Sequence, residues 1–224
     1  IHIEQRADLR ERGLSVGIAT TIAGPVRHRL RFTGEVAHAG ETPAAERHDA
    51  LCAAAETVLL AERLCQACAP NTTATAGTLQ VQPNALTSIP GAAELGMDIR
   101  SIQAGGAKRL LDELLNGARI AADSRGVELI EEPLSAADPT VMDDAMVRMV
   151  EAACGKLEVR CGRCVSFAGH DAQHIAGAAP AALLFVASEN GVSHAPGEAA
   201  DWQDVEAALA VLIELMQNLQ GGGT

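Results

Sequence analysis

The chain has 224 residues, 48% of them hydrophobic and 21% charged, which is typical of a globular protein with one large or two small domains. Its net charge of −12 argues against nucleic acid and anionic membranes as partners, and three Phe, one Trp and no Tyr leave few platforms for base stacking. No apolar run approaches the roughly 18 residues needed to span a bilayer.

The middle of the chain has the pattern of a ferredoxin-like sandwich. The predicted elements are a strand over 27–36, a helix over 46–68, strands over 73–81 and 92–101, a helix over 105–125 and a strand over 127–132. Leu110, Leu114 and Ile120 are expected on one face of the second helix. The order β-α-β-β-α-β is the split βαβ arrangement.

The last third of the chain has the pattern of an α/β layer. Its predicted elements are a helix over 138–157, a strand over 165–168, a strand over 181–187 and a helix over 201–219. The unbroken apolar run at 181–187 predicts a strand that is covered on both faces. Because two strands and residues 1–21 make only a small sheet, we expect this layer to have further strands elsewhere.

The six cysteines include two CxxC pairs, Cys65 with Cys68 and Cys161 with Cys164. Far more chain separates these pairs than the roughly 15–20 residues usual between the two halves of a zinc ribbon. A structural zinc site is therefore the weaker interpretation, and reduced thiols of a cytoplasmic protein are the preferred one.

Five polar side chains stand at or near predicted strand ends: His2, His38, Arg100, His170 and His194. Each has an ordinary interpretation; Arg100, for example, shares a strand face with Asp98 and is expected to form an ion pair with it. Two terminal histidines do not complete a hydrolytic zinc site, which needs at least three protein ligands and an open position. Taken singly, these residues do not define a mechanism.

Six segments taken together are far more specific. In chain order they are HIEQ (2–5), GEVAHAGETPAAERHDAL (34–51), PNALTSIPG (83–91), DIRS (98–101), AGHDA (168–172) and FVASENGVSHAPGE (185–198). They closely resemble the hydantoinase/carbamoylase family of metal-dependent amidohydrolases. That family includes N-carbamoyl-L-amino acid hydrolases, β-ureidopropionases and allantoate amidohydrolases, and it belongs to the wider aminoacylase-like metallopeptidases. The resemblance runs from His2 to about Leu219.

The resemblance implies an α/β fold in which a di-metal catalytic domain is interrupted by a ferredoxin-like lid that also forms a homodimer. Residues 1–21 and 137–224 are then parts of the catalytic domain, and residues 22–136 are the lid. The remaining N-terminal part of the catalytic domain is expected upstream of Ile1.

The resemblance also implies a site with two divalent metal ions, zinc or manganese. His2 and His194 correspond to metal ligands, one for each ion. The general base and the other ligands lie upstream of HIEQ in the family, so no catalytic residue is assigned within this chain. Glu4 and Glu198 match positions that do not serve as the base.

The substrate-binding residues implied by the resemblance are Gln5, His38, Thr87, Arg100 and His170. Gln5 and His38 correspond to groups that contact the scissile amide, and the lid histidine often reaches the neighbouring subunit's site. Arg100 corresponds to the residue that binds the substrate carboxylate, a task that suits a planar guanidinium. His170 matches a position near the substrate.

Two positions depart from the family pattern. Arg6 stands where HIEQ is usually followed by Gly, and Thr87 stands where an Asn is frequent. Thr keeps a hydroxyl but lacks the amide's two donors and its carbonyl acceptor. Either change is expected to alter substrate choice, and together they also allow relaxed selection for activity.

The leading hypothesis is therefore metal-dependent hydrolysis of N-carbamoyl amino acids or related ureido acids. The alternatives are an aminoacylase or dipeptidase of the wider superfamily, and a non-catalytic protein that keeps the lid as a dimerisation or binding module. We expect these 224 residues alone to be inactive without the upstream ligands and base. We also expect them to need that part or a dimer partner for solubility, because a sheet without its first strands exposes apolar edges.

Overall fold

The computed structural model describes residues 1–221, which form two compact units. The insert unit is Gly24–Pro139, and the discontinuous unit combines Ile1–Ala23 with the residues from Thr140 onwards. No helix in the described part of the chain is long and apolar enough to cross a membrane.

The secondary structure consists of short and long strands interspersed with helices. The strands are β1 (His2–Ile3), β2 (Val16–Ile22), β3 (Gly24–Thr33), β4 (Ala37–His38), β5 (Thr72–Gln82), β6 (Ser88–Ile89), β7 (Ala92–Ser101), β8 (Glu128–Ala136), β9 (Thr140–Val141), β10 (Cys161–Ser166) and β11 (Leu183–Val186). The α-helices are α1 (Asp8–Glu11), α2 (Ala50–Cys68), α3 (Gly106–Asp123), α4 (Asp144–Lys156), α5 (Ala172–Ala176) and α6 (Trp202–Gly221), and a 3-10 turn covers Ala44–Glu46.

The insert unit is built on an antiparallel sheet in the order β5-β7-β3-β8. Buried and partly exposed residues alternate along β7, and the buried ones, such as Leu95 and Ile99, share a core with residues of α2 and α3. Strands β4 and β6 form a separate two-stranded ribbon. The predicted β-α-β-β-α-β order is confirmed.

The two long helices of the insert unit follow the sequence pattern, except that the helix expected from residue 46 begins at Ala50 and that Ile120 is not on the buried face of α3. The Asp49 side chain caps α2 by accepting a hydrogen bond from the Cys52 backbone N–H at 3.0 Å. On α3, Leu110 and Leu114 are buried as predicted, but Ile120 is 68% exposed. The expectation for Ile120 was wrong because ten residues at 3.6 per turn leave it well off the face of Leu110.

The discontinuous unit contains a mixed sheet in the order β1-β11-β2-β10, with β9 paired to the end of β2. Strand β11 is antiparallel to β2 but parallel to β1, and β10 is parallel to β2. Every residue of β11 is buried, which confirms the strand covered on both faces. Residues of α4 and α6, including Val150 and Val211, pack into the same core.

Two predicted boundaries in this unit were wrong. The helix expected from residue 138 begins at Asp144, because Asp143 caps it by accepting from the Met146 N–H at 2.8 Å and Thr140–Val141 pairs with β2. The strand expected over 165–168 is Cys161–Ser166. Its first residues are polar or small and only partly buried, so they lack the apolar run that marks a strand.

Candidate functional site

His2 is positioned by the pairing of β1 with β11, in which it stands opposite Phe185. Its ring nitrogen Nδ1 lies 2.7 Å from the carbonyl oxygen of Ile3. Since a carbonyl oxygen can only accept, Nδ1 carries the hydrogen, and in the neutral ring Nε2 keeps its lone pair. Metal-ligating histidines usually have this arrangement, with one ring N–H fixed by a protein acceptor.

Gln5 lies on the same side as His2, because β1 ends at Ile3. The Gln5 Nε2 atom is 3.4 Å from Nδ1 of His2. Strict alternation along an extended strand would have directed Gln5 away from His2. The structure therefore brings together two of the residues that the sequence singled out.

His170 is the third residue of this group. Its ring contacts His2 edge-on at a centroid distance of 4.9 Å, and it packs against Phe185 at 5.2 Å. Nε2 of His170 lies 2.9 Å from the Ser166 hydroxyl. Burial, reinforced by the nearby charge of His2, lowers the pKa of His170 and favours its neutral form.

A cavity of about 340 Å³ opens beside these rings in the discontinuous unit. His2 and His170 line it together with apolar residues such as Ile175 and Leu183. Such a volume is in the range of small-molecule sites.

His194 lies in the loop between β11 and α6, where its backbone has a φ of +56°. Its backbone N–H donates to Oε2 of Glu198 at 3.0 Å, so the Glu198 carboxylate holds this conformation. The His194 side chain is exposed.

Glu4 is a buried residue of this unit to which no role was assigned from the sequence. It is 8% exposed, and both carboxylate oxygens lie 3.2 Å from the backbone N–H of Leu9. Burial raises the pKa of Glu4, although hydrogen bonds from backbone N–H groups of Leu9 and Ser188 oppose the shift. Its position between the apolar Ile3 and the polar Gln5 was the only available signal.

His38 and Thr87 meet in the insert unit, on the ribbon formed by β4 and β6. The Ala39 backbone N–H donates to the Thr87 carbonyl oxygen at 2.9 Å. Nδ1 of His38 accepts from the backbone N–H groups of Gly40 and Glu41 at 3.1 and 3.2 Å. In the neutral ring the hydrogen is therefore on Nε2, which makes the exposed end of His38 a donor.

Arg100 lies on the sheet face opposite the helices of the insert unit. The Asp98 carboxylate accepts from its Nε at 2.7 Å and its Nη2 at 3.1 Å, which confirms the expected ion pair. Arg27 donates to the same carboxylate at 2.8 Å. Burial works against ionisation of Asp98, but the hydrogen bonds from the two arginines outweigh it and hold the pKa of Asp98 below its usual value.

The described residues of the discontinuous unit can contribute ligands to a metal site, but they do not form a complete metal site by themselves. The His2 ring has a fixed tautomer with an Nε2 lone pair. Within residues 1–221, however, no group of three or more His, Cys, Asp or Glu side chains converges closely enough to hold an ion.

The model of peptidase family M20/M25/M40 matches residues 1–218, so the chain belongs to this family. An N-carbamoyl-L-amino-acid amidohydrolase of Pseudomonas sp. (strain NS671) is 33% identical over 216 residues, which are 96% of this chain and 52% of that protein.

Solved structures agree with this assignment. An amidase of the hydantoinase/carbamoylase family from Burkholderia multivorans has 34% identity and a TM-score of 0.89, over 96% of this chain and 52% of its own. The complex of AtUAH with (S)-hydroxyglycine has 29% identity and a TM-score of 0.87, over 97% of this chain and 52% of its own. The resemblance to hydantoinase/carbamoylase amidases is confirmed, and the chain spans about half the length of these relatives.

Proposed function

We propose that the protein hydrolyses a linear carbamoyl or ureido C–N bond in N-carbamoyl amino acids or related ureido acids, with the help of divalent metal ions. The observation that carries this proposal is the grouping of His2, Gln5 and His170, with the His2 ring fixed by the Ile3 carbonyl. The similarity to a Pseudomonas N-carbamoyl-L-amino-acid amidohydrolase supports the choice of substrate class.

His2 and His194 are the residues that we assign to metal binding, one for each of two zinc or manganese ions. Metal ions in such a site polarise the scissile carbonyl and make a water molecule more acidic. The Ile3 carbonyl and the Glu198 carboxylate support this assignment, because each restricts the conformation of one of the two histidines.

The remaining residues are assigned to the substrate. Arg100 binds the carboxylate, since its guanidinium is already oriented by Asp98 and suits two-point binding. His38 donates its Nε2–H to the carbonyl oxygen, where negative charge develops during attack by water. Gln5 and His170 hold the scissile group, and the Thr87 hydroxyl contributes a further hydrogen bond.

We also propose that the insert unit forms a homodimer. Its sheet ends at β5 and β8, and such unpaired strand edges are available for pairing with another chain. Sedimentation analysis that gives a monomer over micromolar concentrations would contradict this part of the proposal. The cytoplasmic location expected from the sequence remains a prediction.

The proposed reaction is tested by its products. Hydrolysis of an N-carbamoyl-L-amino acid consumes one water and gives the amino acid, ammonia and carbon dioxide, because the carbamic acid formed first decomposes. The protein is assayed with Zn²⁺ or Mn²⁺, both as these 224 residues and with any coding sequence that continues upstream of Ile1. Ammonia release from the carbamoyl substrate, without cleavage of N-acetyl amino acids or dipeptides, is the expected result.

The alternatives predict different products. Release of acetate from N-acetyl amino acids or of two amino acids from dipeptides would identify an aminoacylase or a dipeptidase. Absence of every product, together with absence of bound metal after dialysis against Zn²⁺ and Mn²⁺, would favour the non-catalytic module.

A further inference from the structure

Glu4 connects two segments that are distant in sequence. Its carboxylate accepts from the backbone N–H of Leu9, with both oxygens 3.2 Å away. Glu4 itself is fixed in β-type pairing, because its own N–H donates to the Val186 carbonyl oxygen at 2.9 Å. Glu4 thus joins the start of α1, through its side chain, to the end of β11, through its backbone.

A second set of contacts extends this connection toward His194. Ser188 is fully buried, and its hydroxyl oxygen accepts from the Gly191 N–H at 3.0 Å. Gly191 has a φ of +66°, and a Cβ atom there would lie 2.9 Å from the Ala7 nitrogen and 3.0 Å from the carbonyl carbon of Arg6. The loop that carries His194 is therefore held against residues 6 and 7 at a position that requires glycine.

We propose that Glu4 is a positioning residue that holds the His2 segment and the His194 loop in one fixed relative placement. The proposal deepens the metal-binding role given to the two histidines above and rests on it. The carboxylate closes residues 4–9 into a turn, and Gly191 lies against the backbone of that turn at residues 6 and 7, three residues before His194.

The chemistry of a carboxylate explains why glutamate serves here. Both of its oxygens accept, so the Leu9 N–H meets an acceptor at either oxygen. A glutamine of the same shape offers one accepting oxygen, and its NH₂ group would face the same donor. Since an imperfectly satisfied buried donor is costly, Glu4→Gln is expected to loosen the turn formed by residues 4–9.

The first test is amide hydrogen exchange of the metal-free 224-residue chain. In Glu4→Gln we expect exchange at Leu9 to accelerate about tenfold, as for the loss of one buried hydrogen bond, with faster exchange at Gly191 and His194 as well. Glu189→Gln is the matched control, because it removes the same charge from an exposed side chain next to Ser188 and should change none of these amides.

The second test is zinc titration of the protein together with any coding sequence that continues upstream of Ile1, because the 224 residues supply one histidine per ion. It is followed through the imidazole signals of His2 and His194 at a temperature where both wild type and Glu4→Gln are folded. Loss of a residue that orients metal ligands typically weakens metal binding about 10- to 100-fold, and we expect Glu4→Gln to fall in that range. If Glu4 had only a structural role, Glu4→Gln would lower the melting temperature and leave the zinc affinity unchanged.

The outcomes distinguish the positioning role of Glu4 from the metal-binding role of the two histidines. Unchanged exchange at His194 in Glu4→Gln, with acceleration confined to Leu9, would overturn the positioning role whatever zinc does. If His2 and His194 do not respond to zinc in the wild-type protein that includes the upstream sequence, the proposed metal ligands are refuted, while the exchange measurement still decides the role of Glu4. If Glu4→Gln does not fold, Ser188→Ala breaks only the link to Gly191 and should accelerate exchange at Gly191 and His194 but not at Leu9.

Discussion

Replacement of Asp98 by asparagine tests the charged face of the insert unit. The Asp98 carboxylate accepts from Nε of Arg27 at 2.8 Å and from Nε and Nη2 of Arg100 at 2.7 and 3.1 Å. Asparagine keeps the shape but loses the negative charge and one accepting oxygen. Two guanidinium groups would then share a neutral partner.

The expected loss of stability follows from the exposure of these groups. Hydrogen bonds to charged groups contribute about 1.5–3 kcal/mol when buried. The Asp98, Arg100 and Arg27 side chains are 28%, 31% and 45% exposed, so solvent screening reduces that figure toward the surface range of about 0–1 kcal/mol per pair. For the two pairs together we expect Asp98→Asn to destabilise the insert unit by about 1–2 kcal/mol at pH 7.

The pH dependence has a definite sign. The pKa of Asp98 in the folded protein is below its usual value of 3.8, so the ionised carboxylate stabilises the fold at pH values above that value. This contribution is lost as the pH falls through the lowered pKa. The difference between wild type and Asp98→Asn should therefore be constant from pH 7 to about pH 5 and should shrink below pH 4.

Urea denaturation of both proteins at pH 7 and at pH 3 measures the effect. Asp123→Asn, which removes the same charge from an exposed position in the same unit, is the control and should change stability by less than about 0.5 kcal/mol. Equal stability of wild type and Asp98→Asn at pH 7, or a difference that grows as the pH falls, would refute the reasoning.

Three further substitutions test the core, a close backbone contact and the proposed carboxylate site. Leu114→Ala, at a fully buried position, should lower the free energy of unfolding in urea by about 2–5 kcal/mol, whereas Ile120→Ala, at 68% exposure, should lower it by less than about 0.5 kcal/mol. Similar losses would show that the two side chains are not on different faces of α3. Gly34→Ala should destabilise the insert unit by about 1–3 kcal/mol and lower its melting temperature, because a Cβ atom at residue 34 would lie 1.9 Å from the His48 carbonyl oxygen. An unchanged melting temperature would contradict this close approach. Arg100→Lys should weaken binding of an N-carbamoyl amino acid by about tenfold or more in calorimetry, because lysine cannot bind a carboxylate at two points. Binding of the carboxamide analogue of that ligand should not change. Equal losses for both ligands would count against the role assigned to Arg100.

The regular parts of the fold were predictable because their side chains repeat with the period of the element. Strand β7 alternates between buried and partly exposed positions along its whole length, and the predicted bounds of 92–101 match the structure. Strand β9 was missed because its two residues are ordered only by pairing with Thr21 and Ile22. Pairing partners so far along the chain leave no local pattern to detect.

The candidate site was predictable in its members but not in its geometry. The segment HIEQ identifies His2 and Gln5, yet their proximity depends on β1 ending after Ile3, which is fixed by the position of β11. Glu4 escaped notice because its partner, Leu9, presents a backbone N–H group. Backbone donors have no signature in the sequence, since almost every residue carries one.

The two histidines assigned to different tasks are expected to be in opposite neutral tautomers. The His2 ring has its hydrogen on Nδ1, because that atom contacts the Ile3 carbonyl oxygen at 2.7 Å, and its Nε2 has a lone pair for a metal ion. The His38 ring has its hydrogen on Nε2, because its Nδ1 accepts from the N–H groups of Gly40 and Glu41, and it is a donor to an oxygen with developing negative charge. Ring ¹⁵N chemical shifts of the neutral forms distinguish the tautomers directly. If both rings proved to be in the same tautomer, one of the two assignments would be wrong. A His2 ring with its hydrogen on Nε2 would contradict the metal-ligand role, and a His38 ring with its hydrogen on Nδ1 would contradict the donor role.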